Sequence, residues 1–141
     1  ERPGLTAQIV LAKNYEDTGE QFDGGTNQDT VNEMYSRLKS AGVANPCERL
    51  QLRWYSRKMD GVTPVEGGLD REKGVNHPSH VKYSSYDGQV AIVGSANMDN
   101  QSFNRSREVN VVVDDKALVR AWDGQLFDKE FTGAVPADAC R

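Results

Sequence analysis

Side chains that could act together on a phosphate lie close in the chain between residues 80 and 108. His80 and Lys82 are two residues apart, so in a strand both side chains would point from one face. An imidazole can serve as a nucleophile or, when protonated, as an acid near neutral pH, and an ammonium attracts phosphoryl oxygens. The pair therefore suits phosphoryl transfer, and no metal ion is needed if such groups carry the developing charge.

Two strands predicted after this pair are flanked by further polar side chains. The apolar run Gln89–Val93 predicts a buried strand, and Glu108–Val113 alternates as a second strand. Ser95 and Asn97, just beyond the first strand, can donate hydrogen bonds, and the Glu108 carboxylate could fix the tautomer of an imidazole. We expect these three side chains to lie with the histidine and the lysine at one edge of the sheet.

A histidine and a lysine at this spacing are, taken alone, more often an ordinary strand pair than a site. His77 lies close to His80, but it precedes Pro78, which favours an extended or turn backbone. The sequence offers no further ligands at suitable spacing, so it predicts neither a metal site nor a cofactor. His77 is therefore left out of the predicted site.

The complete spacing resembles the HKD signature of the phospholipase D superfamily. The matching positions, in chain order, are His80, Lys82, Asp87, Gly94, Ser95 and Asn97. The continuation as far as Val113 is also similar to that family. The resemblance implies a phospholipase D-like α/β sandwich with a mixed sheet.

The resemblance also implies a role for each polar residue. Lys82 and Asn97 would bind the phosphoryl oxygens with help from Ser95, and Glu108 would orient the catalytic histidine, His80.

Asp87 would belong to the catalytic set, although a structural role in closing the turn into Gly88 is an equal alternative. Arg105 and Arg107 could bind a head group, and Asn110 could contact the site residues rather than the substrate. The resemblance assigns none of these three a role.

Members of this superfamily use two facing histidines, one that forms a phosphohistidine and one that serves as acid and then base. The chain contains a single H-x-K, so the resemblance implies a second HKD half, supplied by another chain or by a second copy. We favour an incomplete C-terminal half of a two-motif protein, because the first predicted strand begins at Leu5 and the chain opens on Glu1. Such a half would be inactive in isolation.

The expected substrate is a phospholipid, because the stretch S-R-E-V-N-V-V-V at residues 106–113 resembles the lipid-acting branches more than the small nucleases. The expected reaction is hydrolysis or transfer of the phosphatidyl group through a phosphohistidine. A metal-independent homodimeric nuclease and a non-catalytic partner half are the alternatives. The net charge of −4 fits a nuclease less well, since binding driven by nucleic-acid phosphates favours a basic surplus.

The remaining pattern predicts one phospholipase D-like catalytic domain over residues 1–141. The predicted elements are a strand at Leu5–Lys13, a helix at Asp29–Ala41, a strand at Leu50–Ser56, a helix from Asp114 or Asp115 to Phe131, and a tail at 133–141. The predicted buried side chains are Val31, Met34, Tyr35 and Leu38 on the first helix, Leu50, Leu52 and Trp54 on the strand, and Leu118, Ala121, Trp122, Leu126 and Phe131 on the last helix.

Cys47 and Cys140 lie in loop-like contexts without the close spacing of a metal site. We favour a disulfide between them over two free thiols, and a disulfide implies an oxidising compartment, secreted or periplasmic. The apolar runs are too short for a transmembrane helix, so we expect no stable insertion into a membrane.

Overall fold

The computed structural model describes residues 4–13, 26–65, 79–98 and 100–140. These residues fall into two compact units, one within the bounds Glu1–Ser79 and Glu130–Arg141 and one within His80–Lys129. Every residue of the predicted site belongs to the second unit. Among the described residues, no helix combines the length and the apolar character needed to cross a bilayer.

The described chain contains both strands and helices. The strands are β1 (Ala7–Leu11), β2 (Leu50–Trp54), β3 (Tyr83–Tyr86), β4 (Val90–Gly94), β5 (Asn110–Asp114) and β6 (Val135–Pro136). The helices are α1 (Asn27–Ser40), α2 (Pro46–Arg49), α3 (Asn100–Asn104), α4 (Lys116–Trp122) and α5 (Asp128–Gly133), with a π-helical segment at Asp123–Phe127 and a 3₁₀ turn at Asp138–Cys140.

The first unit is built on a three-stranded mixed sheet in the order β1-β2-β6. β1 runs parallel to β2, and β6 pairs with β2 in the antiparallel direction. Leu50, Leu52 and Trp54 are buried on one face of β2, as their alternation predicts. The mixed sheet expected from the sequence is confirmed here, while the second unit has a separate sheet of its own.

Helix α1 packs its apolar stripe into the core of the first unit. Thr26 and Asp29 form a capping box at its start, which satisfies backbone N–H groups that the helix leaves unpaired. Val31 and Tyr35 are buried, and Met34 and Leu38 are partly buried against the same core. The face predicted for this helix is therefore confirmed.

The segment after α5 is part of the core, so the prediction of a tail over 133–141 was wrong. Val135 and Ala137 are 1% and 0% exposed, because β6 adds a short strand to the edge of β2. Two residues are too few for an alternating pattern, so the sequence gives no strand signal there. Cys47 takes part in a disulfide, and its Sγ lies 4.0 Å from the carbonyl oxygen of Ala139; the side chain of Cys140, its expected partner, lies outside the described residues.

The second unit contains an antiparallel sheet in the order β3-β4-β5. A tight turn joins β3 to β4, closed by the N–H of Gln89, which donates to the carbonyl of Tyr86 at 3.0 Å. Both central residues have positive φ, 55° at Asp87 and 60° at Gly88, as the turns that match strand twist require. The Asp-Gly pair therefore sets the register of this hairpin.

The last helical segment begins as predicted, and Phe131 is buried as predicted, but other positions of the predicted face are exposed. Asp115 caps α4 by accepting hydrogen bonds from the N–H groups of Ala117 and Leu118. The predicted core positions Leu118 and Leu126 are 40% and 55% exposed, whereas Val119 is fully buried. α4 turns Val119 inward, and the π-helical segment interrupts the 3.6-residue period on which the prediction for Leu126 rested.

Tyr83, at the start of β3, gives the second unit a pH-dependent stability. Its hydroxyl donates to Asp123 at 2.7 Å, and its ring packs edge-on against Trp122 at 6.3 Å. Burial, together with this hydrogen bond, raises the pKa of Tyr83 to about 12. A raised pKa favours the neutral phenol in the folded state, so the stabilisation is complete below about pH 10 and is lost between about pH 10 and 12.

We therefore expect the free energy of unfolding to fall more steeply with pH in the parent chain than in Tyr83→Phe, which has no phenol at this position to titrate. Urea unfolding at about pH 9 and about pH 11.5 measures the difference. Tyr86→Phe is the matched control, because that ring is 52% exposed, and it should follow the parent chain. Identical slopes for all three proteins would contradict the assignment.

Candidate active site

His80 and Lys82 lie immediately before β3, not within a strand as the two-residue spacing suggested. The segment nevertheless continues toward the β4 edge, because the N–H of Gly94 donates to the carbonyl of Lys82 at 3.3 Å. The Lys82 ammonium folds back and donates to the carbonyl of His80 at 3.0 Å. The His80 side chain is exposed, so it is open to a substrate.

Ser95 and Glu108 are brought together by the pairing of β4 with β5. The register sets Gly94 opposite Asn110, which places the residue after β4 beside the residues that precede β5. The Ser95 hydroxyl donates to Glu108 Oε2 at 2.5 Å and accepts the N–H of Val109 at 3.1 Å. The Ser95 N–H also donates to the Val109 carbonyl at 3.1 Å, so Ser95 is held by three bonds.

Gly94 lets the two strands approach at this point. A Cβ there would lie 2.1 Å from Asn110 Oδ1, 2.5 Å from the Val109 carbonyl oxygen and 2.7 Å from Asn110 Cα. Two of these atoms are main-chain atoms that cannot move aside alone. The Asn110 Oδ1 also accepts the N–H of Ala96 at 3.4 Å, so Asn110 supports the turn that carries Ser95.

Asn97 is positioned by a residue for which the sequence gives no separate signal. The Ser102 hydroxyl on α3 accepts the Asn97 N–H at 3.0 Å, and Ser102 is only 8% exposed. The side chain of Asn97 remains exposed and available to a ligand. A serine within a polar stretch has no periodicity of its own, so only the folded chain shows this contact.

Asp87 is placed apart from the other predicted site residues. It lies in the β3-β4 turn, at the opposite end of the hairpin from Lys82 and Gly94. Four paired positions separate the two ends, and strand geometry makes that span about 13 Å or more. The structure thus places Asp87 in the turn, as the structural alternative expects, and its catalytic role stays a prediction.

The expected hydrogen bond between Glu108 and the His80 ring is not made in the described part of the chain. Glu108 Oε2 is engaged by Ser95, its neighbour across the strand pairing. The side chains of Arg105 and Arg107, just before Glu108, are exposed and add positive charge near this end of the sheet. Within the described ranges, histidine, cysteine and carboxylate side chains do not gather in groups of three that could hold a metal ion.

We expect Ser95→Ala to lower kcat for phosphodiester hydrolysis by roughly 10- to 100-fold, since the Glu108 carboxylate loses the group that positions it. The cost in stability should be only about 1 kcal/mol, because solvent can reach the freed partners. Steady-state kinetics and urea unfolding measure the two effects. Ser84→Ala, in the middle of β3, is the control. Equal loss of activity in both variants would contradict a special role for Ser95.

Similarity to a known protein family extends over most of the chain. A search of curated proteins finds no match to the chain. A family model described as "Cardiolipin synthase, PLD-like domain" matches residues 2–130, which include every residue of the candidate site. The chain therefore belongs to this family of phospholipase D-like domains, within the phospholipase D superfamily.

Proposed function

We propose that the chain supplies one catalytic half of a phosphodiesterase that acts on the phosphatidyl group of phospholipids. The observation that carries the proposal is the arrangement around β4. The exposed His80 and the ammonium of Lys82 precede the β3-β4 hairpin, at the end where Ser95 holds Glu108. Phosphodiesterase-type activity is what membership of the superfamily suggests. The family description names cardiolipin synthase, and a lipid-related description favours a phospholipid over a nucleic acid.

The proposed reaction is a double displacement at phosphorus. A ring nitrogen of one histidine attacks, an N–P bond forms, and the P–O bond to the leaving alcohol breaks as a second histidine protonates the leaving oxygen. That second histidine then removes a proton from water or from an acceptor alcohol, whose oxygen attacks phosphorus. The N–P bond breaks and the first histidine is restored. His80 is one of the two histidines.

Each neighbouring side chain has a part in this scheme. Lys82 and Asn97 bind the nonbridging phosphoryl oxygens and offset their charge. Ser95 holds Glu108, as the hydrogen bond between them supports. Glu108 orients the histidine once its ring turns toward the carboxylate, which stabilises the imidazolium formed during proton transfer.

The second histidine must come from outside this copy of the chain, because His80 alone is followed by a lysine two residues later. A second copy could supply it across a twofold axis, and so could a complementary HKD half. Phospholipase D-like domains typically act as dimers or with a second half, which supports the requirement.

Transfer to an alcohol tests the proposal, because a covalent phosphatidyl intermediate can be attacked by ethanol as well as by water. The chain is incubated in EDTA with phosphatidylcholine vesicles and ethanol, and the lipids are separated. We expect phosphatidylethanol beside phosphatidic acid, and neither product from His80→Ala. Turnover by the chain alone means that two copies build the site, while a need for a complementary half means that the site is shared between different chains.

The same samples are tested on single-stranded and double-stranded DNA. Cleavage of DNA without lipid turnover would overturn the choice of substrate and favour a homodimeric nuclease, whose binding should weaken steeply with salt. A folded chain that turns over neither substrate, alone or with a complementary half, would favour a non-catalytic partner.

A further inference from the structure

Four large apolar side chains stand in solvent beside the candidate site, and we call them the apolar rim: Val81, Met98, Phe103 and Val109. Their exposed fractions are 66%, 87%, 72% and 74%. Single exposed apolar residues are common on protein surfaces, but a group of them gathered around a polar site is not. The rim therefore calls for a ligand that combines a charged group with an apolar one.

The rim is fixed to the site by short connections. Val81 separates His80 from Lys82 in the chain, and Met98 follows Asn97 directly. The backbone of Val109 makes two hydrogen bonds with Ser95, each of 3.1 Å, while its side chain points into solvent.

Phe103 is attached through its neighbour on α3. Ser102 is buried and accepts the N–H of Asn97 at 3.0 Å, so the next residue, Phe103, is presented outward from the same short helix. Each apolar group thus lies next to, or is hydrogen-bonded through its neighbour to, a polar residue that is assigned to the phosphate.

We propose that the apolar rim is a surface that docks on an anionic phospholipid bilayer and presents the site to the head-group phosphate. This inference rests on the proposed function for its substrate class and adds the way in which the substrate is reached. Charge complementarity favours this occupant, because the cations Lys82, Arg105 and Arg107 lie among the rim residues in the chain. Apolar side chains at the head-group boundary, flanked by cations, bind anionic lipid surfaces by burial and by attraction together.

Vesicle flotation tests the inference on the 141-residue chain without requiring turnover. The probes are vesicles of phosphatidylglycerol with phosphatidylcholine and vesicles of phosphatidylcholine alone. We expect the chain to float with the anionic vesicles, and Met98→Ser and Phe103→Ser to weaken its partition by roughly tenfold each, as the loss of one buried apolar side chain predicts. Raised salt and removal of phosphatidylglycerol should also weaken it.

Leu126→Ser is the matched control, because that side chain is 55% exposed, belongs to the same unit and lies outside the rim. Absence of flotation, or equal flotation of the rim and control variants, would overturn the inference. A loss of self-association in the rim variants, seen by analytical ultracentrifugation without lipid, would overturn it in favour of an interface between copies.

Hydrolysis of bis(4-nitrophenyl) phosphate, a soluble diester, is measured on the same samples. Rim-dependent flotation without hydrolysis of this diester, either by the chain alone or with a complementary half, would leave the docking surface standing and count against the catalytic proposal. Hydrolysis without flotation would support the catalytic proposal and count against the docking surface. The two proposals can therefore fail separately.

Discussion

Replacing His80 by alanine is expected to lower kcat for phosphodiester hydrolysis by at least about 10³-fold, because its imidazole is the group assigned to form the N–P bond or to carry the proton. His80 is exposed and precedes β3, so the free energy of unfolding should change by less than about 0.5 kcal/mol. Kinetics with the soluble diester and urea unfolding, on the assembly that shows turnover, measure both quantities.

His77→Ala is the control for this experiment. The chain has two histidines, and His77 was left out of the predicted site; its position lies outside the described residues. We expect His77→Ala to keep the parent activity. A kcat for His80→Ala within tenfold of the parent value would remove His80 from the mechanism and with it the proposed phosphohistidine chemistry.

Gly94→Ala is expected to reduce the free energy of unfolding by about 3 kcal/mol, at the upper end of the range for overpacking. The added Cβ would sit 2.5 Å from the Val109 carbonyl oxygen and 2.7 Å from Asn110 Cα, so β4 and β5 would have to separate. Separation also pulls Ser95 away from Glu108, and we expect kcat to fall by roughly 100-fold in the protein that remains folded. Urea unfolding and kinetics at a temperature well below the transition distinguish the two effects.

The same substitution at Gly124 controls for the loss of a glycine. Gly124 lies in the π-helical segment, where a Cβ would approach nothing closer than Asp128 Oδ2 at 4.0 Å. An alanine in a helix is favoured over glycine by about 0.5–1 kcal/mol, so Gly124→Ala should be as stable as the parent chain or slightly more so. A Gly94→Ala protein as stable as Gly124→Ala would show that the strands do not meet as closely as described.

The sequence predicted those parts of the fold whose signals are local and repeated. Val31 and Tyr35 recur at helical spacing, and Leu52 and Trp54 alternate, so their burial followed from periodicity alone. The hairpin turn at Asp87 was also foreseeable, because an Asp-Gly pair between apolar runs favours positive φ.

The sequence predicted which polar residues would lie near one another better than it predicted their contacts, and their catalytic roles stay predictions. The side-chain types and their spacing predict that Lys82, Ser95 and Glu108 are neighbours. The pairing of β4 with its neighbouring segments brings these residues to the same end of the sheet. The bond that Glu108 makes to Ser95 depends on the register of β4 against β5, which residue types do not specify. The hydrogen bond from the Asn97 N–H to Ser102 forms because α3 folds back toward Asn97. No sequence pattern links these two segments.

Other elements escaped prediction because their cause is not local. β6 forms by pairing with the edge of β2, where Val135 lies opposite Trp54. The segment around Val135 has no sequence pattern that predicts this pairing. The exposure of Leu126 follows a change of helical period within five residues, a segment too short to alter the periodicity of the surrounding sequence.

The pairing of β6 with β2 has a consequence for the order in which the chain folds. Trp54 meets Val135 across more than eighty residues, so closing the first sheet requires a long loop to be ordered. The sheet β3-β4-β5 is joined by connections between successive strands, and contacts of low sequence separation form faster. A growing chain can therefore complete the hairpin that follows His80 and Lys82 before Val135 has been synthesised, while the core around Trp54 must wait for it.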